Sequence, residues 1–178
     1  YPQDASNVDE LINNADMAMY HAKKLGKNNI QFFTKAMNDA ATHRHTMKEN
    51  ILGALRDKQF ELFYQPQIDL ASGSISGLEA LIRWNKPDGD QVLPGSFISI
   101  AEETGLIFCV SRFGIKEACK QIRLWRNAGV SVPTVAINIS AVEMHQNEQL
   151  LHIIEDALAE NELQPGDLTI ELTESAML

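Results

Sequence analysis

The sequence predicts an α/β fold belonging to a (β/α) barrel, and two observations carry that expectation. Two strand-like runs, Glu61 to Asp69 and Ser74 to Trp84, are joined by the short turn Ala71-Ser72-Gly73, a connection suited to an antiparallel hairpin. Beyond the hairpin, helical and strand patterns alternate, as they do where a parallel sheet is built with crossover helices. A complete barrel has eight strands and typically ~250 residues. Only four such strands can be placed in this chain of 178 residues, so it is expected to stop halfway round.

Each element has its own signal. Val8, Leu11, Ile12, Ala15, Ala18, Met19, Ala22 and Leu25 recur at i, i+3, i+4 spacing and predict an amphipathic helix. Gly26 stands where a left-handed C-terminal cap belongs. The following NNIQFF, ending at Phe33, reads as a short strand, although a lone helix and strand have nothing to bury an apolar face against. A second helix is expected from Ala36 to Asp57, with Met37, Ala40, Ala41, Met47, Ile51, Leu52 and Leu55 marking one side. After the hairpin, Pro94 and Ser96 open a short helix that Gly105 closes, and a longer helix from Ile107 to Ala128 ends before Gly129. A strand at Thr134 to Ile139, a helix near Asn147 to Asn161 and a strand at Asp167 to Thr173 complete the pattern.

Composition narrows the function classes. With 44% hydrophobic and 22% charged residues, the balance is that of a soluble globular protein. Net charge is −9, and no lysine or arginine occurs from Asn127 onward. Such a surface repels nucleic-acid phosphates, so DNA or RNA binding is not expected. The longest apolar run, near Gly105 to Val110, falls far short of the ~20 residues of a spanning helix, so no membrane contact by this chain is expected. Cys109 and Cys119 lie ten residues apart on one predicted helix. That is about 15 Å at 1.5 Å per residue, too far to pair, and a reduced, cytoplasmic setting fits, within a parent that could itself be membrane-anchored. The five histidines lack metal-ligand spacing, and no Ser/His/Asp arrangement or phosphate-binding loop is present.

The run EALIRW, from Glu79 to Trp84, mixes a carboxylate and a guanidinium into an apolar strand. Alternation puts Glu79, Leu81 and Arg83 on one face. The two charges lie about 13 Å apart at roughly 3.3 Å per residue, too far for direct contact. Each therefore calls for a separate partner, a metal or a charged ligand, because an uncompensated buried charge is costly. Asn138 and Glu171 fall near the ends of the third and fourth long strands, where barrels gather functional groups, and with Glu79 they offer hard oxygen donors suited to Mg²⁺ or Mn²⁺. Singly, each of these residues reads as an ordinary turn, cap or wet-face residue. Their joint pattern is what points to a metal.

YQPQIDL from Tyr64, EALIRW from Glu79, PGSFISIAEETGLI from Pro94, VAINIS from Val135 and IELTES from Ile170 follow in one order. In register they resemble the first half of an EAL domain, the bacterial module that hydrolyses cyclic di-GMP. The resemblance covers Asn38 to Leu178. It implies a modified, TIM-like (β/α)8 barrel with an antiparallel first hairpin, present in part. ADMAMYHAKKLGKNN, from Ala15 to Asn29, resembles the tail of a GGDEF domain, the diguanylate cyclase module, without its signature. The implied organisation is a helix-strand remnant of an α/β GGDEF domain over 1–34, a linker helix and first EAL helix over 35–57, and the N-terminal half of an EAL domain over 58–178. Lys23 and Lys27 match nucleotide-contacting positions there, but read more plainly as solvated lysines near a helix end.

By the same resemblance, Glu79, Asn138 and Glu171 are metal ligands, Arg83 contacts a phosphate of the dinucleotide, and Gln65 lies near the substrate. Glu174 matches a glutamate that couples a later loop to metal binding. The implied reaction is metal-dependent hydrolysis of cyclic di-GMP to linear pGpG. The alternative is a receptor domain that binds the dinucleotide without cleaving it. Family members are commonly dimeric, so a homodimer is an expectation. The family's DDFG aspartates and its later lysine are not in this sequence, so this stretch alone is expected neither to hold two metals well nor to turn over.

Overall fold

The computed structural model describes residues 5–144 and 147–172. Its contacts divide the chain into residues 1–47 and residues 48–178. In the first unit, α1 (Val8–Lys24) starts at Asn7, whose extended backbone lets its side-chain oxygen accept from the Glu10 N–H at 2.8 Å. Glu10 reaches back to accept from the Ser6 N–H at 2.7 Å. The helix ends at Leu25, and Gly26 follows at φ +93°, the left-handed conformation its position predicts. The strand expected up to Phe33 is not formed. Among the described residues of this unit no second strand is present to receive its backbone hydrogen bonds, and Ile30 and Phe32 are each 84% exposed.

α2 (Lys35–Arg56) crosses from the first unit into the second, where Ile51 and Ala54 are buried. β1 (Phe60–Ile68) and β2 (Ile75–Asn85) then form the expected antiparallel hairpin. Its turn is fixed by Gly73 at φ +69° and by Asp69, whose carboxylate accepts from the N–H and the hydroxyl of Ser72, each at 2.7 Å. The two-residue β3 (Gln91–Val92), unforeseen in the sequence, folds back on the end of β2. A 3₁₀ turn at Pro94–Ser96 leads into α3 (Ile98–Thr104), which Gly105 closes at φ +73°. The remaining elements are α4 (Ile107–Asn127), β4 (Val135–Ile139), the short and unforeseen α5 (Ala141–Met144), α6 (Asn147–Glu160) and β5 (Leu168–Leu172).

The sheet order is β1-β2-β4-β5, with β3 attached to β2. β4 runs parallel to β2, and β5 parallel to β4, each reached through a helical crossover. A reversed first strand followed by parallel strands is part of the wall of a modified TIM-like barrel. Register sorts the side chains onto two faces. Leu62 and Tyr64 of β1, Leu78 and Ala80 of β2, Val135, Ile137 and Ile139 of β4, and Leu168 of β5 join one core with Ile115, Ala118, Cys119 and Ile122 of α4 and Leu150, Ile153, Ala157 and Leu158 of α6. Burial raises the Cys119 thiol pKa to about 11, so it behaves as an apolar core residue. A second packing centre joins Phe60, Trp84 and Phe97, with ring centroids 5.4 to 5.7 Å apart. Among the described residues no helix is long and apolar enough to cross a membrane.

Candidate functional site

The opposite face of the sheet carries the charges. Because side chains alternate, burying Ala80, Ile137 and Ile170 on one side forces Glu79, Asn138 and Glu171 onto the other. Gln65 stands directly across from Glu79, and Glu171 directly across from Asn138. Adjacent strands are spaced about 4.8 Å apart, so the pairs are neighbours. β2 is aligned with β4 through Glu79 and Ala136, which places Asn138 two residues further along the same face. There Asn138 Nδ2 donates to Glu79 Oε1 at 2.7 Å. Four of the sequence-predicted residues thus share one face.

Arg83 lies further along β2 on that face, half-buried, and its guanidinium is held from two sides. Nη1 donates to the Ile82 carbonyl at 2.9 Å, and Cζ sits 5.8 Å from the centre of the Phe63 ring. The nearest cross-strand carboxylate, Glu61, instead accepts from Asn85. Among the described residues neither Glu79, Glu171 nor Arg83 forms an ion pair, so the Glu79/Arg83 pairing that the strand spacing argued against does not occur. Glu174 lies outside the described residues.

Two neighbours of this face escape sequence reasoning. Phe63 carries no signal of its own in the sequence, yet its 47% exposed ring lies beneath the Arg83 guanidinium. Behind the end of β4 lies a polar cluster around Glu143, which is 1% exposed. Glu143 Oε2 accepts from Ser111 Oγ at 2.8 Å and from the Ser140 N–H at 3.1 Å, while Ser140 Oγ donates to Glu102 Oε1 at 2.5 Å. Burial pushes the Glu143 carboxyl above its usual range, and the nearby Glu102 charge adds to this against the pull of the two donors. Glu102, Ser111, Asn138 and Ser140 all border a cavity of about 430 Å³ between the sheet and α3 and α4. A serine two residues after a strand-end asparagine, followed three residues later by an acid, was the only available signal.

The sequence profile of the EAL domain matches residues 48–178. The chain belongs to the EAL domain family. The bifunctional diguanylate cyclase/cyclic di-GMP phosphodiesterase MucR of Pseudomonas aeruginosa is 38% identical over 178 residues, covering 100% of the chain and 26% of that protein. The signaling protein YkoW of Bacillus subtilis is 40% identical over 174 residues, 98% of the chain and 22% of its own length. The chain therefore spans about a quarter of these curated relatives. A solved MucR phosphodiesterase in complex with c-di-GMP superposes with a TM-score of 0.69 at 34% identity, covering 75% of this chain and 53% of that one.

EAL phosphodiesterases generally depend on a divalent metal. Two carboxylates and an amide on one sheet face fit such an ion in donor type, since all three supply hard oxygens and no cationic side chain competes for them among the described residues. Among the described residues, no group of three His, Cys, Asp or Glu side chains that could hold a metal ion is brought together.

Proposed function

We propose that this EAL domain serves a cyclic di-GMP phosphodiesterase, hydrolysing one phosphodiester bond to give linear pGpG. The observation that carries the reading is the contact between Asn138 and Glu79, with Glu171 across from Asn138 and, on the same face, Arg83, which forms no ion pair among the described residues. Glu79, Asn138 and Glu171 would hold Mg²⁺ or Mn²⁺. When bound, such an ion supplies charge neutralisation at the phosphoryl oxygens and acidifies the attacking water. Arg83, with a planar fork that takes two phosphate oxygens at once, holds the dinucleotide, and its contacts with Ile82 and Phe63 orient that fork. Gln65, across from Glu79, donates its amide to a substrate oxygen. Glu174 is assigned, by the family resemblance alone, the coupling of a later loop to metal binding.

The match to the bifunctional diguanylate cyclase/phosphodiesterase MucR, which covers 100% of the chain and so includes residues 1–34, supports reading those residues as the end of a GGDEF domain. The free thiols of Cys109 and Cys119 suit a cytoplasmic setting, and a homodimer is the assembly we favour. The test is hydrolysis of cyclic di-GMP by the full-length protein with Mg²⁺ or Mn²⁺, following pGpG. Formation of pGpG that is lost in Glu79→Ala supports the enzyme. Binding of the dinucleotide without pGpG makes the protein a receptor.

A further inference from the structure

We infer that Glu143 is a positioning residue for the candidate metal site, acting through Ser140 on Asn138; this rests on the metal reading proposed above. Asn138 is the penultimate residue of β4, and its amide reaches Glu79 only if the end of that strand is held in place. Ser140 begins the connection that leaves the strand, and it is fixed at three points. Its N–H donates to Glu143 Oε2, its hydroxyl donates to Glu102 Oε1, and the same hydroxyl accepts from the Val142 N–H at 3.2 Å. Ser111 Oγ of α4 ties Glu143 in turn to the helix that packs on the sheet.

A fully buried acid with no cation partner among the described residues is costly to retain where an apolar side chain would fill the space. Here its hydrogen bonds tie α4 and α5 to the end of β4, and the Ser140 hydroxyl adds α3 through Glu102. Partners that orient metal ligands from behind typically change metal affinity by about 10- to 100-fold when removed. The geometry points to the same role for Glu143, at one remove.

The experiment is Mn²⁺ titration of the full-length protein without substrate, alongside a melting temperature for each variant. Glu143→Leu is expected to weaken Mn²⁺ binding about tenfold. Glu143→Gln, which keeps an acceptor oxygen, should restore the affinity to within about threefold of wild type. Ile153→Ala, a core change in α6 at a residue outside this hydrogen-bonded cluster, should lower the melting temperature without changing the affinity. Should Glu143→Leu fail to fold, Ser111→Ala removes one donor to the carboxyl and is expected to weaken binding about threefold.

Unchanged affinity in Glu143→Leu, or in Ser111→Ala where that variant stands in, overturns the inference if Glu79→Gln does weaken Mn²⁺ binding. So does an equal loss in Ile153→Ala, which would make the effect one of general stability. Unchanged affinity in Glu79→Gln overturns the metal reading itself and the inference with it.

Discussion

Asn138 donates from Nδ2 to Glu79 Oε1 across 2.7 Å, joining the end of β4 to the middle of β2. These residues are 59 positions apart in the chain, and only the parallel register between the strands brings them together. Removing the amide takes away one hard donor and the group that orients the carboxylate. Asn138→Ala is therefore expected to lower kcat for cyclic di-GMP hydrolysis by about 10- to 100-fold, measured at saturating Mg²⁺ or Mn²⁺.

Arg83 makes a different prediction because it is assigned to binding and not to the metal. Arg83→Ala should raise KM about tenfold or more, the loss of a charge-assisted phosphate contact worth about 1.5–3 kcal/mol, with kcat changed far less. The Phe63 ring beneath the guanidinium should matter in proportion to a cation–π contact of about 0.5–1 kcal/mol. Phe63→Leu is expected to raise KM about two- to fivefold, whereas Phe63→Tyr, which keeps the ring face, should not. Steady-state kinetics across the three variants separate charge from ring.

Much of this arrangement was legible in the sequence. Strand alternation placed Glu79 and Arg83 on one face, and the turn around Gly73 fixed the hairpin that puts Gln65 across from Glu79. The strand expected up to Phe33 failed because alternation reports a suitable segment but not the presence of a neighbour to pair with. β3 and α5 were too short, at two and four residues, to leave a periodic pattern. Glu143 is not singled out by the sequence because its burial depends on packing between distant segments, which no local spacing encodes.

Stability should depend on pH through Glu143. Its folded carboxyl titrates above the ordinary value of 4.5, chiefly through burial, with the Glu102 carboxylate on α3 as the charged neighbour that adds to it. The folded state thus favours the protonated form, and the associated stability is fully present below that value. It is lost as pH rises through the raised folded pKa. Glu143→Gln cannot lose a proton, so it should be more stable than wild type at neutral pH, with the difference vanishing in mild acid. Urea midpoints from about pH 4 to pH 8 check both limits.

The aromatic centre gives a prediction independent of catalysis. Trp84 is 2% exposed, packs tilted against Phe60 and edge-on against Phe97, and donates from Nε1 to Gln59 Oε1 at 3.0 Å. Trp84→Ala is expected to cost about 3–5 kcal/mol, read from urea unfolding, because the cavity left behind can collapse only in part.

We read the sheet face around Glu79 as a metal-dependent phosphodiesterase site. The most direct measurement is pGpG formation from cyclic di-GMP by the full-length protein and by its Glu79→Ala variant, each with and without Mg²⁺ or Mn²⁺. The expected result is metal-dependent pGpG formation by the wild type and none by the variant, with both proteins folded to the same extent. Full activity in Glu79→Ala, or wild-type hydrolysis that chelation of the metal leaves untouched, would contradict the account.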